Sequence, residues 1–271
     1  MGSHIVPMKQ TPRFVSIGAG NVATHLVRSL CSNGCSLIQV YSHTALSAQT
    51  LAVCWNAEYT VSPEKIKTDA DFYLVSLTDQ ALTGFLREFS VLDKLIFHTA
   101  GSHGLEVFEG KFENCGVLYP LQTFSKNVEL DLTPVPLLIE AKNEHALFEI
   151  QTIAGKISTR VIVTDSEARR WIHLAAVFAC NFTNHMYAVS SEMLQRQNLD
   201  PGLLNPLIDE TFHKSRAMSP AEAQTGPAQR NDSVTMEKHI KMLESQTLLQ
   251  KIYTFTSRSI QDMKVSGNKS R

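Results

Sequence analysis

The stretch FVSIGAGNVATHLV, residues 14–27, passes from an apolar strand into a helix through Gly18-Ala19-Gly20-Asn21-Val22-Ala23, a G-x-G-x-x-A pattern. Each small residue has a mechanical reason. Gly18 permits the tight strand-to-helix turn, Gly20 leaves the backbone open to a pyrophosphate, and Ala23 lets the helix pack closely on the strand. The start of that helix presents free N–H groups and a positive dipole end to an anion. The pattern follows a β-branched strand and opens an apolar-periodic helix, the context in which it reads as a dinucleotide site. The alternative is a structural glycine turn.

Outward from this loop, short apolar runs alternate with helical segments over the first 160 or so residues. Strands are expected at Arg13–Ile17, Leu37–Tyr41, Glu58–Thr60, Phe72–Leu77, Leu95–His98, Val117–Leu118, Leu137–Ile139 and Arg160–Val163. The continuous apolar run at Phe72–Leu77 suits a strand buried on both faces. Such alternation predicts an α/β fold with parallel βαβ units in a doubly wound sheet. The texture then changes. No Gly or Pro stands between Gly155 and Pro201, and Asp165 or Ser166 is a good N-cap for a long helix to about Gln197. A second helix fits Leu203–Ala217, a loop fits Met218–Asp232, and Asp232 would cap a helix in the breaker-free stretch that ends at Ser266. The expected division is a dinucleotide-binding domain at 8–164, with its boundary near Thr164, and an all-helical domain at 165–266.

Composition narrows the class further. The 271 residues carry 25 Lys+Arg against 26 Asp+Glu, a net charge of -1, with 43% hydrophobic residues. Balanced charge argues against broad electrostatic capture of nucleic acid, and no aromatic-plus-basic array supports it. Five cysteines, an odd number with no C-x-x-C pair, read as reduced thiols of a cytoplasmic protein. Cys180, in an apolar helical stretch, reads as a small buried hydrophobe. No apolar stretch approaches the roughly 20 residues that span a bilayer, and no signal peptide is visible. No metal-ligand spacing is present. The segment MGSHIVP at 1–7 reads as a cloning remnant before Met8, and Val265–Arg271 as a frayed polar tail; neither is expected to carry function.

The second strand indicates which dinucleotide. An NAD site places Asp or Glu at its end for the ribose 2′-OH. Here it ends in Val40-Tyr41-Ser42-His43-Thr44. Hydroxyls and an imidazole suit a 2′-phosphate better than a carboxylate would, so Ser42, His43 and Thr44 predict NADP(H). Their alternative role is to cap the next helix. Ligands of open α/β sheets bind beyond the carboxyl ends of the strands. Leu77 and Thr78 are therefore expected along the dinucleotide, with Asp79 capping the following helix. Thr99, Ala100 and Gly101, on the segment running to Ser102, are expected near the nicotinamide. His98 reads as a satisfied strand histidine.

With this loop, the missing acid and the helical second half, the chain resembles NADP-dependent oxidoreductases of the superfamily containing 6-phosphogluconate dehydrogenase, pyrroline-5-carboxylate reductase and ketopantoate reductase. More closely, it resembles a poorly characterised bacterial branch of NADP oxidoreductases. The matching segments are GAGNVATHL at 18–26, HTAGS at 98–102, YPLQTFS at 119–125, HLAAVFACNF at 173–182 and AQTGPAQRND at 223–232. The resemblance implies a Rossmann domain, a helical dimerisation domain and a homodimer. Long apolar helices that a domain of about 100 residues can hardly bury alone point the same way.

Hydroxy-acid dehydrogenases of that superfamily use a Lys and an Asn one turn apart on the long helix. Position 177, four residues before Asn181, is Val, so that pair is absent. The helix offers His173, Asn181 and Asn184 instead. At about 100° per residue, His173 and Asn184 lie some 20° apart and Asn181 about 80° from His173. Reduction of a carbonyl or imine needs a proton donor near the acceptor atom. His173 is the candidate to supply or relay it, and Asn181 to orient the substrate's polar group. Gln122 and Thr123 could touch substrate or satisfy loop backbone groups. Thr225, Gly226 and Arg230 form a second candidate substrate site, Arg230 holding a carboxylate or else pairing with Asp232. The expected activity is hydride transfer from NADPH to a small polar carbonyl or imine compound, such as a 2-oxo acid. The competing readings are a catalytically idle NADP(H)-binding sensor or regulator and, more weakly, a Rossmann-type methyltransferase.

Overall fold

The computed structural model describes residues 11–269 except 92 and 109. The readings of residues 1–7 and of Met8 lie outside the described residues. The chain separates into two compact units, residues 1–185 and 186–271. The first unit therefore takes in the whole sheet and runs past Thr164 into the long helix.

The first unit opens β1 (Arg13–Ile17), α1 (Asn21–Ser32), β2 (Ser36–Tyr41), α2 (Ala45–Val53), β3 (Glu58–Thr60), β4 (Phe72–Val75), α3 (Asp79–Glu88) and β5 (Leu95–His98). It continues with β6 (Cys115–Pro120), β7 (Leu137–Ala141), α4 (Glu144–Ala154), β8 (Val161–Val163) and α5 (Ser166–Ala176). The eight strands form one sheet in the order β3-β2-β1-β4-β5-β6-β7-β8. This is the Rossmann order extended by two strands, and it reverses between β1 and β4, where ligands of such folds bind.

The period of two along the central strands sorts side chains onto two faces. Phe14, Phe72, Leu74, Leu95 and Phe97 pack with Leu26 and Leu30 of α1, Leu51 of α2 and Ile150 of α4. Val15, Ile17, Tyr73, Val75 and Ile96 pack with Leu82 and Leu86 of α3 on the other face. Each fully buried Leu contributes roughly 2 kcal/mol of burial free energy. The sheet is thus doubly wound, as the alternation predicts.

The sheet differs in detail from the sequence reading: β2 starts at Ser36, β7 runs on to Ala141 and β8 starts at Val161. β4 ends at Val75, not Leu77, because its neighbour β1 ends at Ile17 and supplies its last acceptor to Ser76 N–H. β6 and β7 pair antiparallel, while all other neighbours are parallel. An apolar run has no sequence mark of direction, so this reversal is invisible before pairing. β6 is also longer than Val117–Leu118, reaching from Cys115 to Pro120.

The long helix begins as expected, with Asp165 accepting a cap hydrogen bond from Ala168 N–H at 2.7 Å. It is interrupted by a π turn at Val177–Phe182 before continuing as α6 (Thr183–Arg196). The second unit holds the remainder of α6, then α7 (Asn205–Ala217), α8 (Pro220–Ala223), α9 (Pro227–Arg230), α10 (Ser233–Met242) and α11 (Thr247–Lys269). The expected loop at 218–232 thus contains two single-turn helices. Asp232 caps α10 through Thr235 N–H, as read from the sequence. The breaker-free stretch after it bends at 243–246 without Gly or Pro; the turn turns Leu243 inward, to 8% exposure. α11 carries helical backbone to Lys269, so the segment expected to fray from Val265 is helical. Among the described residues no helix is long and apolar enough to cross a membrane.

Candidate active site

The glycine loop does what its sequence requires. Gly18 adopts φ +110°, and a Cβ there would sit 2.1 Å from the Ser76 carbonyl oxygen. Its N–H donates to Tyr41 O at 2.8 Å, tying the turn between β2 and β4. Gly20 is different. Its backbone is extended, and a Cβ would meet nothing within 4 Å. Neither conformation nor packing asks for glycine at Gly20, and the open space above it suits a ligand that approaches the backbone. Ala23 is fully buried against the sheet. α1 has no side-chain cap and no acid in its first turn, so its N–H groups and dipole face outward uncompensated.

That helix start opens into a cavity of about 580 Å³, all of whose lining lies in the first unit. Gly20, Asn21 and Val22 form one wall, and Leu77, Thr78, Thr99, Ala100 and Gly101 another. Thr99 is held by Oγ1–H donating to Ser76 Oγ at 3.1 Å. Thr78, not Asp79, is the N-cap residue of α3; Asp79 is its first helical residue and accepts a hydrogen bond from Ser102. Asn21 donates to Phe124 O at 2.9 Å, fastening the 121–124 segment beside the cavity. Gln122 lines the cavity, but its Oε1 also accepts from Thr123 N–H at 2.8 Å, so it serves the loop as well.

Ser42, His43 and Thr44 lie at the end of β2 and do not line this cavity. Thr44 occupies the N-cap position of α2, yet its side chain makes no cap bond. No acid stands in the first turn of α2 either, leaving a second uncompensated helix start beside these residues.

The opposite wall is the long helix: His173, Ala176, Val177, Cys180 and Asn181. The α-helical arithmetic fails here because of the π turn. A π turn advances roughly 85° per residue rather than 100°. From Val177 onward this brings Asn181 from about 80° to roughly 20° from the His173 direction, and carries Asn184 roughly 60° to the other side. His173 and Asn181 accordingly share the cavity, whereas Asn184 is exposed and does not line it. Cys180 is exposed on the cavity wall, which corrects its reading as a buried hydrophobe.

Sequence reasoning missed the partner of His173. Tyr119, from β6, brings its Oη to 2.9 Å from His173 Nδ1, with the two rings edge to face at 5.7 Å. Burial, and then the nearby Cys180, push the Tyr119 phenol above its ordinary value, so it stays protonated. His173 Nε2 makes no hydrogen bond among the described residues. Gly101 makes the pair possible: a Cβ there would lie 2.7 Å from His173 Nδ1 and 2.9 Å from Tyr119 Cε2.

One turn before His173, Arg169 is fully buried. It donates to Glu140 Oε2 at 2.6 Å and to His103 O at 2.8 Å, pinning α5 to β7 and to the loop after β5. The only sequence signal for this anchor is a charged residue on the face of α5 that carries His173. His98 is satisfied at both ring nitrogens: Nε2 bonds Gly104 O at 3.2 Å and Nδ1 accepts Ala100 N–H at 3.2 Å. Burial pushes its pKa down to about 4, which keeps it neutral and structural, as the sequence predicts.

Thr225, Gly226 and Arg230 belong to the second unit. Gly226 has φ +101° and opens α9, Asn231 closes it in the left-handed region, and Arg230 is exposed without an ion pair among the described residues. No group of three potential metal ligands occurs among the described residues.

The strand order, the glycine turn and a cavity at the carboxyl ends of the strands define a Rossmann-type fold. The chain belongs to one family with a "putative NADP oxidoreductase" from Bacteroides fragilis: the two are 43% identical over 93% of this chain and 99% of that one, with a TM-score of 0.87. The family described as a domain of unknown function, DUF2520, matches residues 135–260. More distant solved structures share the fold. An imine reductase from Myxococcus stipitatus in complex with NADP+ has a TM-score of 0.66 at 15% identity, covering 94% of this chain and 95% of that one. A 1-pyrroline-5-carboxylate reductase from Streptococcus pyogenes has a TM-score of 0.60 at 9% identity, covering 94% and 100%. No curated protein matches the chain.

Proposed function

We propose that this protein is an NADPH-dependent reductase of a small polar carbonyl or imine compound. The observation that carries the reading is one cavity bounded by an uncapped helix start beside an unexplained glycine, by strand ends, and by a His173 with a free ring nitrogen. The residues fit an NADP cofactor. The N–H groups at Asn21, Val22 and Ala23, with Gly18 making the turn and Gly20 giving access, would hold the pyrophosphate. Ser42, His43 and Thr44 would hold the 2′-phosphate, Leu77 and Thr78 would lie along the dinucleotide, and Thr99–Gly101 would lie near the nicotinamide. Reduced nicotinamide supplies a hydride when bound.

The chain's own part is the proton and the orientation. His173, through the Nε2 that Tyr119 leaves free, would donate the proton to the acceptor heteroatom, and Asn181 would orient that heteroatom. Gln122 borders the substrate. Thr225, Gly226 and Arg230, in the second unit, form a separate proposed carboxylate-binding site.

The test is a thermal-stability titration with NADPH, NADH and S-adenosylmethionine, followed by a screen of oxo acids and imines for NADPH consumption. A ligand of the native state raises the melting temperature by mass action. A selective NADPH shift supports the reading, an NADH preference removes the 2′-phosphate assignment, and no shift removes the cofactor. Val177 on the cavity wall, where the superfamily's dehydrogenases have Lys, favours a second reading: an NADP(H)-binding sensor without turnover. Binding without NADPH consumption across the screen would select it.

The proposed assembly is a cytoplasmic homodimer built on the helical part. In the second unit only Ala228 and Leu243 are buried apolar residues among those described, while Leu203, Leu207, Phe212 and Phe255 are exposed. Light scattering should give twice the chain mass; the mass of a single chain would contradict the dimer.

A further inference from the structure

The proton-donor role of His173, on which the following inference rests, leaves open what holds the imidazole with one particular nitrogen free. We infer that Tyr119 is the positioning residue that dedicates His173 Nδ1 to the protein and leaves Nε2 for proton transfer. Three observations converge. Tyr119 Oη, 2.9 Å from Nδ1, is the only hydrogen-bond partner of the His173 imidazole among the described residues. The edge-to-face contact at 86° fixes the ring plane as well as the ring nitrogen. Gly101 is cut back to hydrogen where any side chain would strike both rings.

A phenol suits this role because its hydroxyl both donates and accepts. When His173 is an imidazolium, Nδ1–H donates to Oη and Nε2–H faces the cavity. In the transfer the Nε2–H bond breaks and an O–H or N–H bond forms on the acceptor heteroatom, which has gained the electron pair of its double bond as the adjacent carbon takes the hydride. The ring is left neutral, with Nδ1–H still on Oη, and solvent returns the proton to Nε2. When neutral His173 instead carries its proton on Nε2, the hydroxyl rotates and donates to Nδ1. No heavy atom moves in the cycle. A backbone carbonyl could only accept and a carboxylate would add charge; the phenol, held protonated by burial, does neither.

The experiment is Tyr119→Phe, which keeps the ring and removes only Oη. Its first readout is imidazole 15N NMR of the cofactor-free protein, the His173 signals assigned by their loss in His173→Gln. The expected result is a displaced Nδ1 resonance and an altered tautomer balance for His173 in Tyr119→Phe, with the NADPH thermal shift unchanged. With a substrate in hand, kcat should fall about tenfold to a hundredfold at little change in KM, the scale of a misplaced catalytic group. Unchanged His173 resonances, or an unchanged kcat, overturn the inference. Failure of the unaltered protein to consume NADPH overturns the reductase reading instead, and the 15N comparison tells the two failures apart.

Discussion

At the scale of single residues, the site depends on atoms that are absent. Gly18 is required by its own backbone and by the Ser76 carbonyl, so its role is legible from the pattern alone. Gly101 is required only because two side chains, from β6 and from the long helix, meet against it, and no local pattern announces that. Its φ is unexceptional, so alanine there strains the rings rather than the backbone. Gly101→Ala should therefore lower turnover about a hundredfold and cost about 1–3 kcal/mol of stability; equal turnover and an equal denaturation midpoint would show that the rings reseat without cost. Tyr119 and His173 are 54 residues apart, and Arg169 and Glu140 29 apart. Such pairs are set by tertiary pairing, which is why His173 could be singled out from its helix and its partner could not.

Among the elements, the interrupted helix decides which polar residues act together. The sequence shows a helix from its cap at Asp165 and the absence of breakers, but VFACNF carries no mark of a π turn. Residue types gave the face, and the change of pitch rotated Asn181 onto it and Asn184 off it. Asn181→Ala should raise KM for substrate about tenfold, the worth of one hydrogen bond to a polar group. Asn184→Ala should leave KM unchanged, and steady-state kinetics on the two variants checks the assignment. The start of the helix is governed by Arg169. Arg169→Met leaves Glu140, with a side chain 14% exposed, facing no cation, and should cost about 3 kcal/mol in urea unfolding. The reversed β7 belongs with the π turn among features the sequence could not show. The strands, the glycine turn and the caps at Asp165 and Asp232, though not the one expected at Asp79, were legible because each is a local decision between neighbouring residues.

For the molecule as a whole, the buried His98 links stability to acidity. Its ordinary value near 6.5 is pushed down to about 4 by burial. The unfolded chain takes up a proton as pH falls below about 6.5, and the native state declines it until about pH 4. Stability present above that window is lost across it by about 3 kcal/mol and lost no further below. Urea unfolding at pH 7 and at pH 4.5 should differ in this direction; a flat profile would mean that His98 ionises in the native state. The cavity wall also offers a chemical handle. Cys35 and Cys115 are buried and Cys31 is half-buried, and burial raises all three thiols, whereas Cys180 and Cys54 are exposed. A thiol-alkylating reagent should label these two, and only Cys180 lies where an occupant would shield it. Slowed alkylation at Cys180, with Cys54 as the internal standard, would thus footprint whatever small molecule fills the cavity. Equal slowing at both would mean that the reagent, not the cavity, is being blocked. The assay can be run on a library of metabolites before any turnover is known.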